Sequence, residues 1–167
     1  MEFLSDSDKT ELLNRTKSGN KIDFVPGWRW YKPPIDSSTV PSTINGPLER
    51  LHLGDNASFG LCHFNVQSGD IFLLDWVKLS QHVSLLTGGH DITKKNANRA
   101  KMFTSGNDIV LEEGVMVFNN VTIIGPCRIG AHSVVAAGSI VRPGIYPGNS
   151  VYAGNPAVFK KQIEFTD

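Results

Sequence analysis

Over residues 109–141 the chain sets an aliphatic side chain at every sixth position: Leu111, Val117, Ile123, Ile129, Val135 and Val141. Four residues after each of the first five stands a small or β-branched residue, namely Val115, Val121, Cys127, Ser133 and Ser139. A step of six is not a whole number of 3.6-residue turns, so no helix holds these side chains on one stripe. An isolated strand alternates with period two and would need more apolar positions than this segment has. A short flat strand followed by a tight corner satisfies the pattern. One large aliphatic per hexad points inward, the small residue packs near the corner, and three faces close a triangular coil of about 18 residues. Successive coils stack as parallel strands, and each inward aliphatic contributes roughly 1.5–3 kcal/mol of burial. Cys127 falls in one of these columns and reads as an inert packing residue.

The same phase occurs earlier, with Leu73, Leu79 and Leu85 six apart and Val77 and Val83 at the small position. Leu53-Gly54-Asp55-Asn56-Ala57 is a further copy that slips by two residues before Leu73. The step from Leu85 to Leu111 is not a multiple of six. Within it, DITKKNANRAKMFTSGND (91–108) is polar and aperiodic, so an excursion loop should interrupt the prism there. Loops of this length are usually functional.

At the start, Ser5-x-x-Asp8 followed by Glu11-Leu12-Leu13 predicts a capped short helix ending near Ser18-Gly19. GWRWYKPP (27–34) is an extended aromatic stretch that caps the prism or lines a sugar site, with capping favoured. Gly154-Asn155-Pro156 ends the repeat, and AVFKKQIEF beyond it is expected as a short helix or strand. The expected organisation is one domain: a cap segment over 1–50, the β-helix over 51–154 with the loop at 91–108, and a tail over 155–167.

Composition narrows the partners. The 167 residues hold 16 Lys plus Arg and 16 Asp plus Glu, a formal net charge of zero. That balance offers no electrostatic case for nucleic acid or an anionic membrane, so an anionic ligand requires a local positive cluster. No apolar run reaches the length of a membrane span, and the N-terminus lacks the pattern of a signal peptide. The two cysteines, Cys62 and Cys127, make neither a disulfide framework nor a CxxC pair. A soluble cytoplasmic protein is the expectation.

The run TIIGPCRIGAHSVVAAGSIV followed by VYAGNPA closely resembles the C-terminal coils of the hexapeptide-repeat acetyltransferases. LSQHVSLLTGGHD (79–91) resembles the active-site segment of the sugar O-acetyltransferases in that superfamily, such as the galactoside, maltose, exopolysaccharide and O-antigen enzymes. The resemblance spans roughly 51–161. It implies a left-handed parallel β-helix of hexapeptide repeats, an exception to the right-handed crossover rule. It also implies a homotrimer with active sites between neighbouring prisms and acetyl-CoA as co-substrate, with no metal.

Acetyl-CoA is an activated donor, so the demand on the protein is to remove a proton from a hydroxyl as it attacks. A histidine side chain, whose ordinary pKa is about 6.5, does such work for typically 10²–10⁴-fold. His90 ends the third hexad of a coil after a Gly-Gly pair, and the family motif puts its general base on this residue. Backbone N–H groups near Gly88 or Gly89, or on a neighbouring subunit, are candidates for the oxyanion. Asp91 is a candidate to orient His90, a role left open. By position-to-position resemblance, the acetyl-CoA contacts fall on Asn119, Ala137 and Arg142, with Lys160 and Lys161 after the terminal turn available for the phosphates.

The chain also departs from the family. Val158 stands where a basic residue is usual, Met116 replaces a tryptophan and Phe118 a glycine. Phe59-Gly60-Leu61-Cys62 replaces the asparagine-rich acceptor segment of galactoside-type members. The expected reaction is acetyl transfer to a sugar hydroxyl in a polysaccharide, glycolipid or glycan precursor. Galactoside or maltose is not the expected acceptor. The alternatives are a sugar-nucleotide N-acetyltransferase, an antibiotic-modifying acetyltransferase, and a non-catalytic structural β-helix. A γ-carbonic-anhydrase-like zinc enzyme ranks last, because His52, His63, His82, His90 and His132 include no closely spaced ligand pair.

Overall fold

The computed structural model describes residues 3–18 and 42–166; the 27–34 aromatic stretch lies outside them. Three parallel ladders form the faces of a β-solenoid. The first face stacks Leu51–Leu53, Ile71–Leu73, Ile109–Leu111, Cys127–Ile129 and Gly144–Tyr146. The second stacks Ser58–Phe59, Lys78–Leu79, Met116–Val117, Val134–Val135 and Ser150–Ala153. The third stacks Thr43–Asn45, Cys62–Asn65, Val83–Leu86, Thr122–Ile124 and Ile140–Val141. The mainly-β solenoid of hexapeptide coils that the period demands is what forms.

The columns run as the spacing requires. Leu111, Val117, Ile123, Ile129, Val135 and Val141 are all buried in one core, together with Val115, Val121 and Cys127. Leu73, Leu79 and Leu85 extend the same core. Corners are fixed by left-handed residues that recur at equivalent places: Asn56, Trp76, Gly114, His132 and Asn149 after the first face, and His82, Asn120 and Gly138 after the second. The backbone N–H groups at the corners continue the ladder, as in Leu74 N–H to the Leu111 carbonyl at 3.0 Å and Glu112 N–H to Ile129 at 3.0 Å.

The two-residue slip is resolved by register. Phe64 pairs with Leu85, so the third face of the first coil begins one residue early. Three additional residues then fill the corner before Ile71, which pairs with Leu51. The excursion loop does not break the stack, because Ile71 pairs with Ile109 and Leu85 with Ile123 across it. The prism is continuous, and the loop leaves and re-enters at a single corner.

The N-terminal helix α1 (Asp6–Arg15) has the expected capping box: the Asp8 N–H donates to Ser5 Oγ, and the Ser5 N–H donates to Asp8 Oδ2, both at 3.1 Å. It ends at Arg15, and Lys17–Ser18 then pairs antiparallel with Leu51–Leu53. Leu4 and Leu12 pack on Phe72, Leu74 and Val110, which form a second apolar cluster with the partly buried Phe3. At the other end Val158–Gln162 is a strand, folded antiparallel onto Ser150–Ala153.

Candidate functional site

The third face of the second coil ends at Leu86, and the chain leaves the prism through Thr87-Gly88-Gly89-His90. Thr87 is buried, and its N–H and hydroxyl both donate to the Asn65 carbonyl, at 3.0 and 2.7 Å. From the returning limb, Asn107 Nδ2 donates to the Thr87 carbonyl at 2.9 Å, and the Asn107 N–H donates to Ser68 at 3.1 Å. These bonds fix the root of the glycine pair. Neither glycine has a left-handed φ; what they supply is space. A Cβ on Gly88 would lie 2.6 Å from Asn65 Nδ2, and one on Gly89 would lie 3.3 Å from both Asn107 Nδ2 and the Phe103 ring.

His90 is exposed at the neck of the loop, where it forms an antiparallel bridge with Met102. The Phe103 N–H donates to the Gly89 carbonyl at 3.0 Å and closes the neck. His90 Nδ1 lies 3.3 Å from the carbonyl oxygen of Lys101. A carbonyl only accepts, so this contact requires the proton on Nδ1 and leaves the lone pair on Nε2. An exposed imidazole held in that tautomer is arranged to take a proton.

Asp91 has a different role. Its Oδ1 accepts from the Thr93 hydroxyl at 2.6 Å and the Thr93 N–H at 2.9 Å. These bonds hold its carboxyl below the usual carboxylate range and close the first turn of the loop. The loop continues through a short helix, Asn96–Ala100, and Arg99 folds back onto the carbonyls of Lys94 (2.7 Å) and Ile92 (3.1 Å). On the way back, Ser68 Oγ donates to the Phe103 carbonyl at 2.6 Å. The buried Asp108 accepts from the Asp70 N–H at 2.7 Å.

The other candidates lie elsewhere on the prism. Asn119 and Ala137 are exposed at the corner between the second and third faces, one coil apart, and the Gly138 N–H donates to the Asn119 carbonyl at 2.9 Å. A Cβ on Gly138 would meet nothing within 4 Å, so this corner is open. Arg142 is exposed just past the last strand of the third face, and its carbonyl accepts from the Tyr146 hydroxyl at 3.0 Å. Lys160 and Lys161 are exposed on the C-terminal strand. Within one chain, His90 and the Asn119–Ala137 corner are separated by the width of the third face. Sequence reasoning missed Lys101, Asn107 and Asn65, which act through backbone and amide groups that leave no local signal.

Among the described residues, no three His, Cys, Asp or Glu side chains gather as they would around a metal ion. No described helix is long and apolar enough to cross a membrane.

Residues 108–143 match the family described as Bacterial transferase hexapeptide (six repeats). The chain is 31% identical over 130 residues to a galactoside O-acetyltransferase of Lactococcus lactis subsp. lactis (strain IL1403), covering 74% of this chain and 61% of that protein. Its structure is similar to a maltose O-acetyltransferase from Clostridium difficile 630, with TM-score 0.62, 27% identity, 74% of this chain and 65% of that one. It is also similar to a galactoside acetyltransferase in complex with coenzyme A, with TM-score 0.62, 27% identity, 81% of this chain and 62% of that one. The chain thus spans a little over three-fifths of the length of these relatives.

Proposed function

We propose that this chain, a hexapeptide-repeat solenoid similar to galactoside and maltose O-acetyltransferases, moves an acetyl group from acetyl-CoA to a sugar hydroxyl. The acceptor belongs to a polysaccharide, glycolipid or glycan precursor, and His90 is the general base. The observation that carries this reading is the exposed His90 ring, with Nδ1 committed to the Lys101 carbonyl and Nε2 left to accept. Nε2 removes the hydroxyl proton as the oxygen attacks the thioester carbonyl. The tetrahedral oxyanion is met by the N–H groups of Gly88 and Gly89, which no acceptor among the described residues takes. Collapse forms the ester and breaks the carbon–sulfur bond, and the proton on Nε2 passes to the departing thiolate.

Acetyl-CoA would run along the open Asn119–Ala137 corner, where a small side chain lets the pantetheine arm approach. Its phosphates would meet Arg142, Lys160 and Lys161, which make no ion pair among the described residues. Because His90 and that corner stand at opposite edges of one face, a complete site needs the His90 edge of one copy beside the open corner of another. A homotrimer supplies that arrangement.

Calorimetric titration with acetyl-CoA tests the reading without knowledge of the acceptor. Micromolar binding at one site per chain is expected. A folded oligomer that binds no acetyl-CoA would overturn it.

A further inference from the structure

We infer that the acceptor is anionic, a sugar bearing a carboxylate or phosphate near the hydroxyl to be acetylated, and that the excursion loop recruits it through Lys94 and Lys95. The inference rests on the acetyl-transfer reading above, because it names the acceptor class of the same site. Between positions 92 and 107 the chain carries Lys94, Lys95, Arg99 and Lys101 and no acidic residue, although its charges balance overall. Of the two carboxylates that bracket the loop, Asp108 faces a cation outside it and Asp91 is held by neutral groups. Asp91 accepts two bonds from Thr93, and Asp108 accepts from the Asp70 N–H and faces Lys9 Nζ at 3.6 Å.

Arg99 shapes the lobe by binding the carbonyls of Ile92 and Lys94, neutral partners that leave its charge uncompensated. Lys94, Lys95 and Lys101 are exposed and make no ion pair among the described residues. Arg50 adds a further cation beside the return limb, donating to Gln67 at 2.8 Å and approaching the Thr104 carbonyl at 3.4 Å. This positive lobe is joined to the proposed base by the Lys101 carbonyl itself. A solvated basic face is ordinary. A face that sets Lys94, Lys95, Arg99 and Lys101 against the single carboxylate of Asp91, hinged on the exposed histidine of a Gly-Gly neck, concentrates anions where the hydroxyl must arrive. The exposed positions make the attraction dependent on salt, since the Debye length is about 10 Å at 0.1 M.

The test compares trigalacturonate with its carboxyl-reduced neutral form, and glucose 6-phosphate with glucose, at low and high ionic strength. Acetyl transfer is read as free thiol released from acetyl-CoA, and binding is read by calorimetry. The charged member of at least one pair should be preferred by roughly tenfold at low salt, with the preference shrinking at high salt. The pair that shows it tells carboxylate from phosphate. Lys94→Gln with Lys95→Gln should remove most of that preference, leaving the rate on neutral acceptors and the KM for acetyl-CoA unchanged. Equal use of charged and neutral acceptors would overturn the inference. So would a double variant that raises only the KM for acetyl-CoA, because the lysines would then serve the donor. If no sugar is acetylated, the proposed function fails and binding alone decides: tighter binding of the charged sugar, lost in the variant, supports the anionic site, and equal binding removes it.

Discussion

Lys9 Nζ lies 2.5 Å from Asp70 Oδ2, and this contact ties the N-terminal helix to the corner where the excursion loop returns. Asp108 Oδ1 is 3.6 Å from the same ammonium, and His52 Nε2 is 3.6 Å from Asp70 Oδ1, too far for a hydrogen bond. His52 is buried and stacked on Phe72, and its Nε2 has no hydrogen-bond partner among the described residues. Burial works against the Asp70 charge, but the Lys9 ammonium in direct contact with it, with the His52 ring nearby, outweighs burial and holds the carboxyl below its ordinary value of 3.8. Burial likewise works against charged Lys9, and the two aspartates outweigh it and raise the ammonium above 10.5.

The signs set the pH dependence. A carboxyl depressed on folding contributes stability above 3.8 that is lost as pH falls through its lowered folded value. A raised lysine contributes below 10.5 and loses that contribution as pH climbs through its raised folded value. Lys9→Met should therefore destabilise by about 1–2 kcal/mol near neutrality and flatten the loss of stability below about pH 4. Urea unfolding between pH 3 and 8 reads both effects, and an acid limb as steep as the unsubstituted protein's would clear Lys9 of the role.

The two thiols should be silent in the folded protein. Burial pushes Cys127 up to about 12 and Cys62 up to about 11, and Cys62 Sγ also donates to the Ser80 carbonyl at 3.3 Å. At pH 8 almost no thiolate is present, and a reagent cannot reach either sulfur in the core. Ellman's reagent should find both thiols only after denaturation. Rapid reaction of either one in the native protein would mean that the local packing opens readily.

The columns were legible because one inward residue per hexad is a strict geometric demand, and nothing but a three-faced coil meets it from Leu111 to Val141. The phase slip at Phe64 was not legible in detail. One residue lost before Cys62 and three added before Ile71 appear in the sequence only as their difference. The α1 helix announced itself through Ser5 and Asp8, but its docking site did not. Phe72 and Val110 are apolar on the outward side of the first face, where the hexad pattern assigns no meaning. At the site, His90 stood out by its glycines and its place at the end of a coil. Its partner is a backbone carbonyl at Lys101, and every residue has one of those.

Ile123→Ala tests the column itself. Ile123 is fully buried and lies in register between Leu85 and Val141. The cavity should cost about 2–5 kcal/mol. Thr122→Ala, on the outward side of the same strand, should stay within about 0.5 kcal/mol. Equal effects at the two positions would contradict the inward and outward assignment.

Gly88→Ala separates spacing from backbone freedom. Alanine is allowed by the φ of Gly88, but its Cβ would press on the Asn65 carboxamide at 2.6 Å. The amide must swing away or the 87–90 segment must shift, and a shift carries His90 with it. Turnover should drop by about tenfold or more, as small misplacements do, with less than about 2 kcal/mol lost in stability. Adding Asn65→Ala removes the obstructing amide and should restore part of the rate. A fully active Gly88→Ala would show that the close approach to Asn65 has no bearing on the base.

His90→Ala addresses the chemistry directly. The ring is exposed and makes one long contact, Nδ1 to the Lys101 carbonyl at 3.3 Å, so its removal should leave the unfolding curve and the elution volume on size-exclusion chromatography unchanged. Turnover should fall by at least about two orders of magnitude, the usual cost of losing a general base. The KM for acetyl-CoA should hold steady, because the contacts proposed for the donor are Asn119, Ala137, Arg142, Lys160 and Lys161, and His90 is not among them. His90→Gln keeps a donor near the Lys101 carbonyl but has no basic nitrogen, so it should be as slow as alanine if proton removal is the role. If glutamine instead restored the rate, His90 would serve to brace the neck of the loop, and the base would have to come from another side chain.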